Sequence, residues 1–246
     1  MEWLVYPALL LVFAVFFTRE VIAPASRNHC DRRWLLLACG LGIVTMLSTV
    51  GIGLAFGAAI HDRAWLPLPP QVPDPLVGLA SFFCTSFIFY WWHRATHRFD
   101  TLWRHVHQLH HSARRIEALT AFFAHPLEAA SAAVIGGFSS YIVLGGSGIA
   151  AAWALLFAGV FDLFLHADIQ TPRWLGYLVQ RPEMHRVHHA HEHHADNYGL
   201  PLWDLLFGTW HNPRDGEPLR RCGFDDDKSD KLCEMLLGQD VHAPPA

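Results

Sequence analysis

Nine histidines of this chain fall into four short patterns whose spacing suits metal ligation. His93 and His97 stand at i and i+4. His107, His110 and His111 stand at i, i+3 and i+4, and His185, His188 and His189 repeat that spacing. Asp162 and His166 give a further i, i+4 pair. At about 3.6 residues per turn, each set falls on one face of a helix. Neutral imidazole binds Fe, Zn, Cu and Ni, and nine imidazoles exceed the four ligands of a closed zinc site. They fit two metal ions with four or five ligands each. Soluble di-iron bundles rely on glutamates, but carboxylates are scarce in these patterns. Ions held mainly by imidazole keep more net positive charge, a property suited to strong oxidation.

The stretch 185–194 holds six histidines and could be read as a low-complexity metal sponge. Its position inside the chain and its match to the earlier triplet argue against that. His191, His193 and His194 have no counterpart upstream. His193 and His194 lie at i+4 and i+5 from His189, so spacing alone leaves a second ligand set open; the expected place for all three is beside the ligands or facing solvent. His105 and His125 are further candidates close to the patterns. Pro126 opens a helix, which puts His125 at its N-terminal boundary. The isolated His29, His61 and His242 are assigned no role.

These patterns need helices, and the composition points to helices in a membrane. Of 246 residues, 52% are hydrophobic and 16% charged, against about 25% charged in soluble domains. Uncharged runs cover residues 3–18, 34–60 and 75–92, each a candidate span. The third ends in Tyr90-Trp91-Trp92, an interfacial aromatic belt, and His93 follows directly. The apolar stretch 129–161 is too long for one helix; Gly145-Gly146-Ser147-Gly148 marks a hairpin turn, and its second arm runs to about His166. The expected fold is all-α: an integral membrane bundle of about three spans plus a helical hairpin, with a histidine-rich helical cap. Arginines crowd segments 19–33 and 93–128, whereas 61–74 has only Arg63, so the positive-inside rule places the cap on the cytoplasmic side. The expected division is 1–74 for N-terminal membrane helices, 75–211 for the catalytic part and 212–246 for a polar tail. Five cysteines without a C-x-x-C pair read as free thiols. A net charge of −4 gives no reason to expect a nucleic-acid partner.

With these residues in view, the chain resembles the fatty acid hydroxylase superfamily, the integral-membrane histidine-box proteins that include sterol desaturases and C-4 methylsterol oxidases. The resemblance covers roughly 75–211 and rests on Trp92-His93-Arg94, His97, the stretch Trp103 to Ser112, and His125-Pro126-Leu127-Glu128. It continues through His185-Arg186-Val187-His188-His189, Asn197-Tyr198-Gly199, and Trp203-Asp204 to Thr209. It implies a centre of two non-haem iron ions that activates O2 to hydroxylate or desaturate a lipid such as a fatty acyl chain or sterol. Carried over by motif, the ligands are His93, His97, His107, His110, His111, His185, His188 and His189, with His166 as the ninth. Some members have a histidine pair where this chain has Asp162 and His166, so Asp162 is either a ligand or an acceptor orienting an imidazole. Asn197 belongs with the residues around the site, and His125 is expected to support a ligating histidine. No His-Pro-Gly-Gly haem motif occurs, so the implied electron donor is external, a ferredoxin or cytochrome b5-like carrier. Zinc is an allowed substitute in purified protein. Arg104, Arg114, Arg115 and Arg186 read as solvated arginines by default, with an acidic donor or lipid head group as the functional alternative.

Two other classes place histidines in membrane helices. A divalent-metal transporter, or a metal-binding membrane protein without oxygenase activity, would carry ionisable groups at mid-span, and the runs 34–60 and 75–92 have no charged residue. A bis-histidine haem protein needs two axial ligands and not nine with repeated triplets.

Overall fold

The computed structural model describes residues 2–26, 32–59 and 64–242; Arg27, His29, Cys30, His61 and Arg63 lie outside them. Its long helices are α1 (Glu2–Ile22), α2 (Arg32–Ala59), α3 (Asp74–Arg98), α6 (Pro126–Gly137) and α7 (Gly148–His166). Between α3 and α6 the chain forms α4 (Asp100–Leu102), a π-helical turn over Trp103–His107, α5 (Gln108–His111) and a 3-10 turn over Ala118–Phe122. After α7 come α8 (Pro182–His188), α9 (Pro201–Phe207), α10 (Asp226–Ser229) and α11 (Leu232–Leu236). The described residues form no strand, and the fold is all-helical as expected.

Among the described residues, five helices are long and apolar enough to cross a membrane, which marks a multi-pass membrane protein. The fourth continues α6 through a π-helical segment, Phe138–Val143, before the hairpin turn. Leu10, Leu11, Leu36, Leu47 and Leu54 point outward with most of their surface uncovered, the arrangement expected where the solvent is hydrocarbon. The turn occurs where the sequence places it: Gly145 has φ +64°, and Ser147 caps α7 by accepting from Ala150 N–H.

α3 packs on α7, α1 on α7, and α2 on α6. Gly78 permits the α3–α7 approach, because a Cβ there would lie 2.4 Å from Trp153 Cβ and 2.7 Å from the Ala150 carbonyl. The Ser147 hydroxyl donates to Asp74 Oδ1 at 2.6 Å, tying together the N-terminal ends of α3 and α7. The two helices therefore run in the same direction and finish at the same end of the bundle, where one carries His93 and His97 and the other His166.

That end is closed by packed polypeptide. Cys222, Phe224, Met235 and Val241 share a buried core with Ala38, Leu109, Ile116 and Phe123. Gln108 grips the same segment, donating to the Gln239 carbonyl and accepting from Val241 N–H. Within the expected polar tail, residues 222–241 thus pack on the histidine region as a lid, whereas 214–221 are largely exposed. Free thiols are found at Cys39, Cys84, Cys222 and Cys233.

Candidate metal centre

The nine histidines converge into two groups. Group A contains His93, His97, His107, His111 and His188; group B contains His110, His166, His185 and His189. Eight are buried and His97 is half-buried. Each triplet divides in the same way. Its i and i+4 members go to one group and its i+3 member to the other, since those positions diverge by about 100° around the helix. His107 and His111 enter group A while His110 enters group B; His185 and His189 enter group B while His188 enters group A. The rings of His111 and His189 stack across the boundary with centroids 4.2 Å apart. The π turn at Trp103–His107 carries the first ligand of its triplet, and such widened turns recur at functional sites.

Hydrogen-bond directions set the tautomers. Nδ1 of His93 contacts the Tyr198 carbonyl at 2.7 Å, that of His107 contacts Glu128 Oε1 at 2.7 Å, and that of His110 contacts the Phe123 carbonyl at 3.1 Å. His166 Nδ1 contacts the Asp162 carbonyl at 2.9 Å and His188 Nδ1 the Asp196 carbonyl at 2.8 Å. An oxygen acceptor requires the proton on Nδ1, so a neutral ring turns a bare lone pair inward at Nε2. Yet Nε2 of His93 lies 2.9 Å from Nε2 of His107, and Nε2 of His166 lies 3.3 Å from Nε2 of His110. Neither pair has a proton to share. The separations His111–His107 at 3.0 Å, His111–His188 at 3.1 Å, His185–His166 at 2.9 Å and His189–His185 at 3.0 Å are as short, although the Gln180 amide donates to His185 Nδ1 and leaves that ring's proton on Nε2.

Facing lone pairs repel unless a cation lies between them. For a metal–nitrogen bond of about 2.1 Å, ligands at right angles are about 3.0 Å apart and tetrahedral ones about 3.4 Å apart. Five of the six spacings match the right-angled case and His166–His110 lies nearer the tetrahedral one, and His97 Nε2 is buried without any hydrogen-bond partner. Protons do not solve the problem. Burial, followed by the neighbouring imidazole charge of His166, pushes His107 down to about 3. Burial likewise pushes His110 down to about 3, and carries His111, His185, His188 and His189 well below the ordinary histidine value. At neutral pH these rings are neutral, the state in which imidazole binds metal.

The remaining candidates lie outside both groups. Asp162 receives the His166 Nδ1 proton at its backbone carbonyl, and its half-exposed carboxylate stands 3.3 Å from the same nitrogen. It orients an imidazole from behind. His125 supports no ligating histidine, because both its nitrogens are engaged elsewhere: Nδ1 accepts from Leu127 N–H as the cap of α6, and Nε2 donates to the Leu236 carbonyl. His105 bonds the Thr101 carbonyl at the surface. His191 pairs with Asp225 and His193 with Asp196, whereas His194 Nδ1 lies 3.0 Å from Nδ1 of the group A residue His111. Asn197 is a clamp: its amide donates to the carbonyls of Met184 and His211 and accepts from His211 N–H.

Several residues beyond the sequence-derived set shape the site. Glu128 holds His107. Asp204, buried and pushed up to about 7 by desolvation, accepts from the N–H groups of Tyr198 and Gly199 and from the Thr209 hydroxyl; it shapes the loop whose Tyr198 carbonyl holds His93. Gln180 bridges the Asn197 carbonyl and His185 Nδ1. The Asn197-Tyr198-Gly199 and Trp203-to-Thr209 motifs were the available signal for Asp204. Two arginines differ from the solvated reading: Arg186 is fully buried and paired with Asp168 at 2.6 Å, and Arg115 pairs with Glu117 at 2.7 Å in the same buried cluster. Arg104 pairs with Asp100 and Arg114 with Asp230 nearer the surface.

Comparison with known proteins gives a consistent picture. The family model described as fatty acid hydroxylase matches residues 78–209. An ornithine lipid hydroxylase of Rhizobium tropici is 28% identical over 62% of this chain and 46% of its own length. A very-long-chain aldehyde decarbonylase of Oryza sativa subsp. japonica is 29% identical over 76% of this chain and 74% of its own. A methylsterol monooxygenase of Arabidopsis thaliana is 32% identical over 43% of this chain and 38% of its own. The chain thus spans less than half of two of these three relatives. No solved structure gives a significant match.

Proposed function

Starting from the chain's membership of the fatty acid hydroxylase family, we propose that it is a membrane-bound oxidoreductase that uses two non-haem iron ions and O2 to hydroxylate or desaturate a lipid. The observation that carries this reading is the convergence of nine imidazoles in two groups, with the facing Nε2 atoms of His93 and His107, and of His166 and His110, having no proton to share. Iron ions bound there supply the O2 activation and one-electron chemistry that an unactivated C–H bond requires.

The chain's own residues do the rest. Carbonyls of Phe123, Asp162, Asp196 and Tyr198, with the Glu128 carboxylate, hold five Nδ1 protons and so aim five Nε2 lone pairs. Burial under residues 222–241 limits the access of water and stray reductants. The apolar outer faces of α3 and α7 lead from the bilayer to the ends of the helices that carry ligands, which suits a substrate arriving sideways as a membrane lipid. The relatives act on an ornithine lipid, a methylsterol and a long-chain aldehyde by their names, and a membrane lipid is the class common to them. An external ferredoxin or cytochrome b5-like carrier supplies electrons, and the arginine-rich segments favour a cytoplasmic side for the centre. Gathering the ligands at one end of the bundle, with no string of them through the spans, does not suit transport.

The test compares lipids from cells expressing the wild type and His188→Ala, with iron and zinc measured in both proteins. The wild type should hold about two irons per chain and yield a lipid gaining oxygen or losing two hydrogens. A product that persists in the variant, or wild-type protein with neither iron nor zinc at its histidines, would overturn the proposal.

A further inference from the structure

The second half of the histidine tract takes no part in either group, yet it lines a cavity of about 560 Å³ outside them. His191, His193, His194 and His242 contribute imidazoles to its wall. Of its four carboxylates, Asp100 is paired with Arg104 and Asp225 with Lys228, which leaves Glu192 and Asp240 against Arg98, so the balance favours a positive guest. His97 is the one group A or B histidine that lines this cavity, and the half-exposed member of the nine. Trp103 stands between the two spaces, with its ring 5.5 Å from His194, 5.3 Å from His97 and 5.2 Å from His111.

Resting on the reading of the nine histidines as a metal centre, we infer that this cavity is the loading vestibule through which a divalent cation reaches the buried groups. His191, His193 and His242, with Asp225 and Asp240, capture the hydrated ion; His194 and His97 pass it inward by ligand exchange, water leaving as imidazole binds. A carboxylate on one imidazole nitrogen strengthens the other as a donor, and His191 already has Asp225 at 3.0 Å. Among the described residues only groups A and B have three or more donors close enough to enclose an ion, so the vestibule donors are too dispersed to trap what they collect. That is the property of a transit site.

The loop between vestibule and groups carries backbone strain. Glu192, His194, Asp196 and Asn197 all have positive φ, between 44° and 64°, conformations that cost non-glycine residues energy and mark segments held by their surroundings. The same loop supplies the Asp196 carbonyl that orients His188. Displacing it loosens a group A ligand and opens the wall together.

The experiment is the rate of Co(II) uptake by the metal-stripped full chain in detergent, followed by visible absorption at micromolar Co(II). Wild type is compared with the triple variant His191→Ala/His193→Ala/His242→Ala and with the control His105→Ala. The expected result is uptake slowed about tenfold or more in the triple variant, with the final Co(II) content and the rate of the control unchanged. Equal rates would overturn the vestibule, as would a lowered final content with no change in rate. If the triple variant fails to fold, Asp225→Asn/Asp240→Asn decides by the same rate. Wild type that takes up no Co(II) at all would instead sink the metal-centre reading itself.

Discussion

Glu128 offers the sharpest test of how the centre is held. Its Oε1 lies 2.7 Å from His107 Nδ1, and His107 presents Nε2 to His93 and His111 at 2.9 and 3.0 Å within group A. Among the described residues it is the one carboxylate whose side chain is a close acceptor for a group A imidazole, and it sits on α6, which contributes no ligand. Removing such a partner behind a metal-bound histidine typically weakens affinity by about 10- to 100-fold, or about 1.4 to 2.7 kcal/mol. Glu128→Gln keeps an acceptor oxygen but loses the charge, so the lower end applies. Glu128→Ala also strands the His107 N–H in a buried site, so the upper end applies. The assay is chelator competition on the loaded full chain, with metal per chain counted at each chelator concentration. One of the two ions should leave the variants at about 10- and 100-fold lower chelator than in wild type, in that order. Curves that superimpose on wild type would show that the carboxylate does not tune the site and that the 2.7 Å contact carries no weight in binding.

The other predictions are shorter. Asp162→Ala leaves the backbone carbonyl that receives the His166 proton and removes only a half-exposed carboxylate, so affinity at group B should fall by less than about 1 kcal/mol; loss of that ion would restore Asp162 as a ligand. Gly78→Ala forces a methyl into Trp153 and the Ala150 carbonyl, and should destabilise the folded chain by about 1–3 kcal/mol, lowering the unfolding temperature and the metal content together. Arg186→Ala leaves Asp168 buried without its nearest cation and should cost about 3 kcal/mol, read by thermal unfolding. Acidification acts through the imidazoles: above pH 6.5 both folded and unfolded forms are neutral, but below it the unfolded chain takes up protons that His107 and His110 refuse until about pH 3. Stability of the metal-free chain is therefore lost from about pH 6.5 downward, by up to about 1.4 kcal/mol per pH unit for each such imidazole. A midpoint for denaturant unfolding that stays flat down to pH 4 would contradict the buried, neutral cluster.

What was legible in the sequence was whatever is local. Uncharged runs mark the spans, Gly145 to Gly148 mark the hairpin, and i, i+3, i+4 spacing marks the triplets, because each depends on residues a few positions apart. The division into groups A and B depends on how α3, α5, α7 and α8 sit together, and no spacing within one helix encodes that. Glu128 stands 21 positions from His107 and the Asp204 carboxylate works through a backbone loop, so the motifs that contain them do not reveal what each holds. Arg186 looks like a surface charge until Asp168, after α7, is brought beside it. Phe224, Met235 and Val241 are too few and too irregular to declare the packed lid to which they belong.

The reciprocal division of the triplets has a consequence for assembly. Neither triplet can build a complete group: α5 and the π turn before it give group A two ligands and group B one, and α8 with His189 gives the reverse. α3 completes group A and α7 completes group B, and these are the two helices that Gly78 lets approach most closely. A displacement of α5 relative to α8 therefore removes ligands from both groups at once. The stacked His111 and His189 rings couple the groups directly. Loading of the two ions should then be cooperative with the docking of α3 on α7, because buried neutral imidazoles with facing lone pairs, His93 with His107 and His166 with His110, resist being assembled until a cation relieves them.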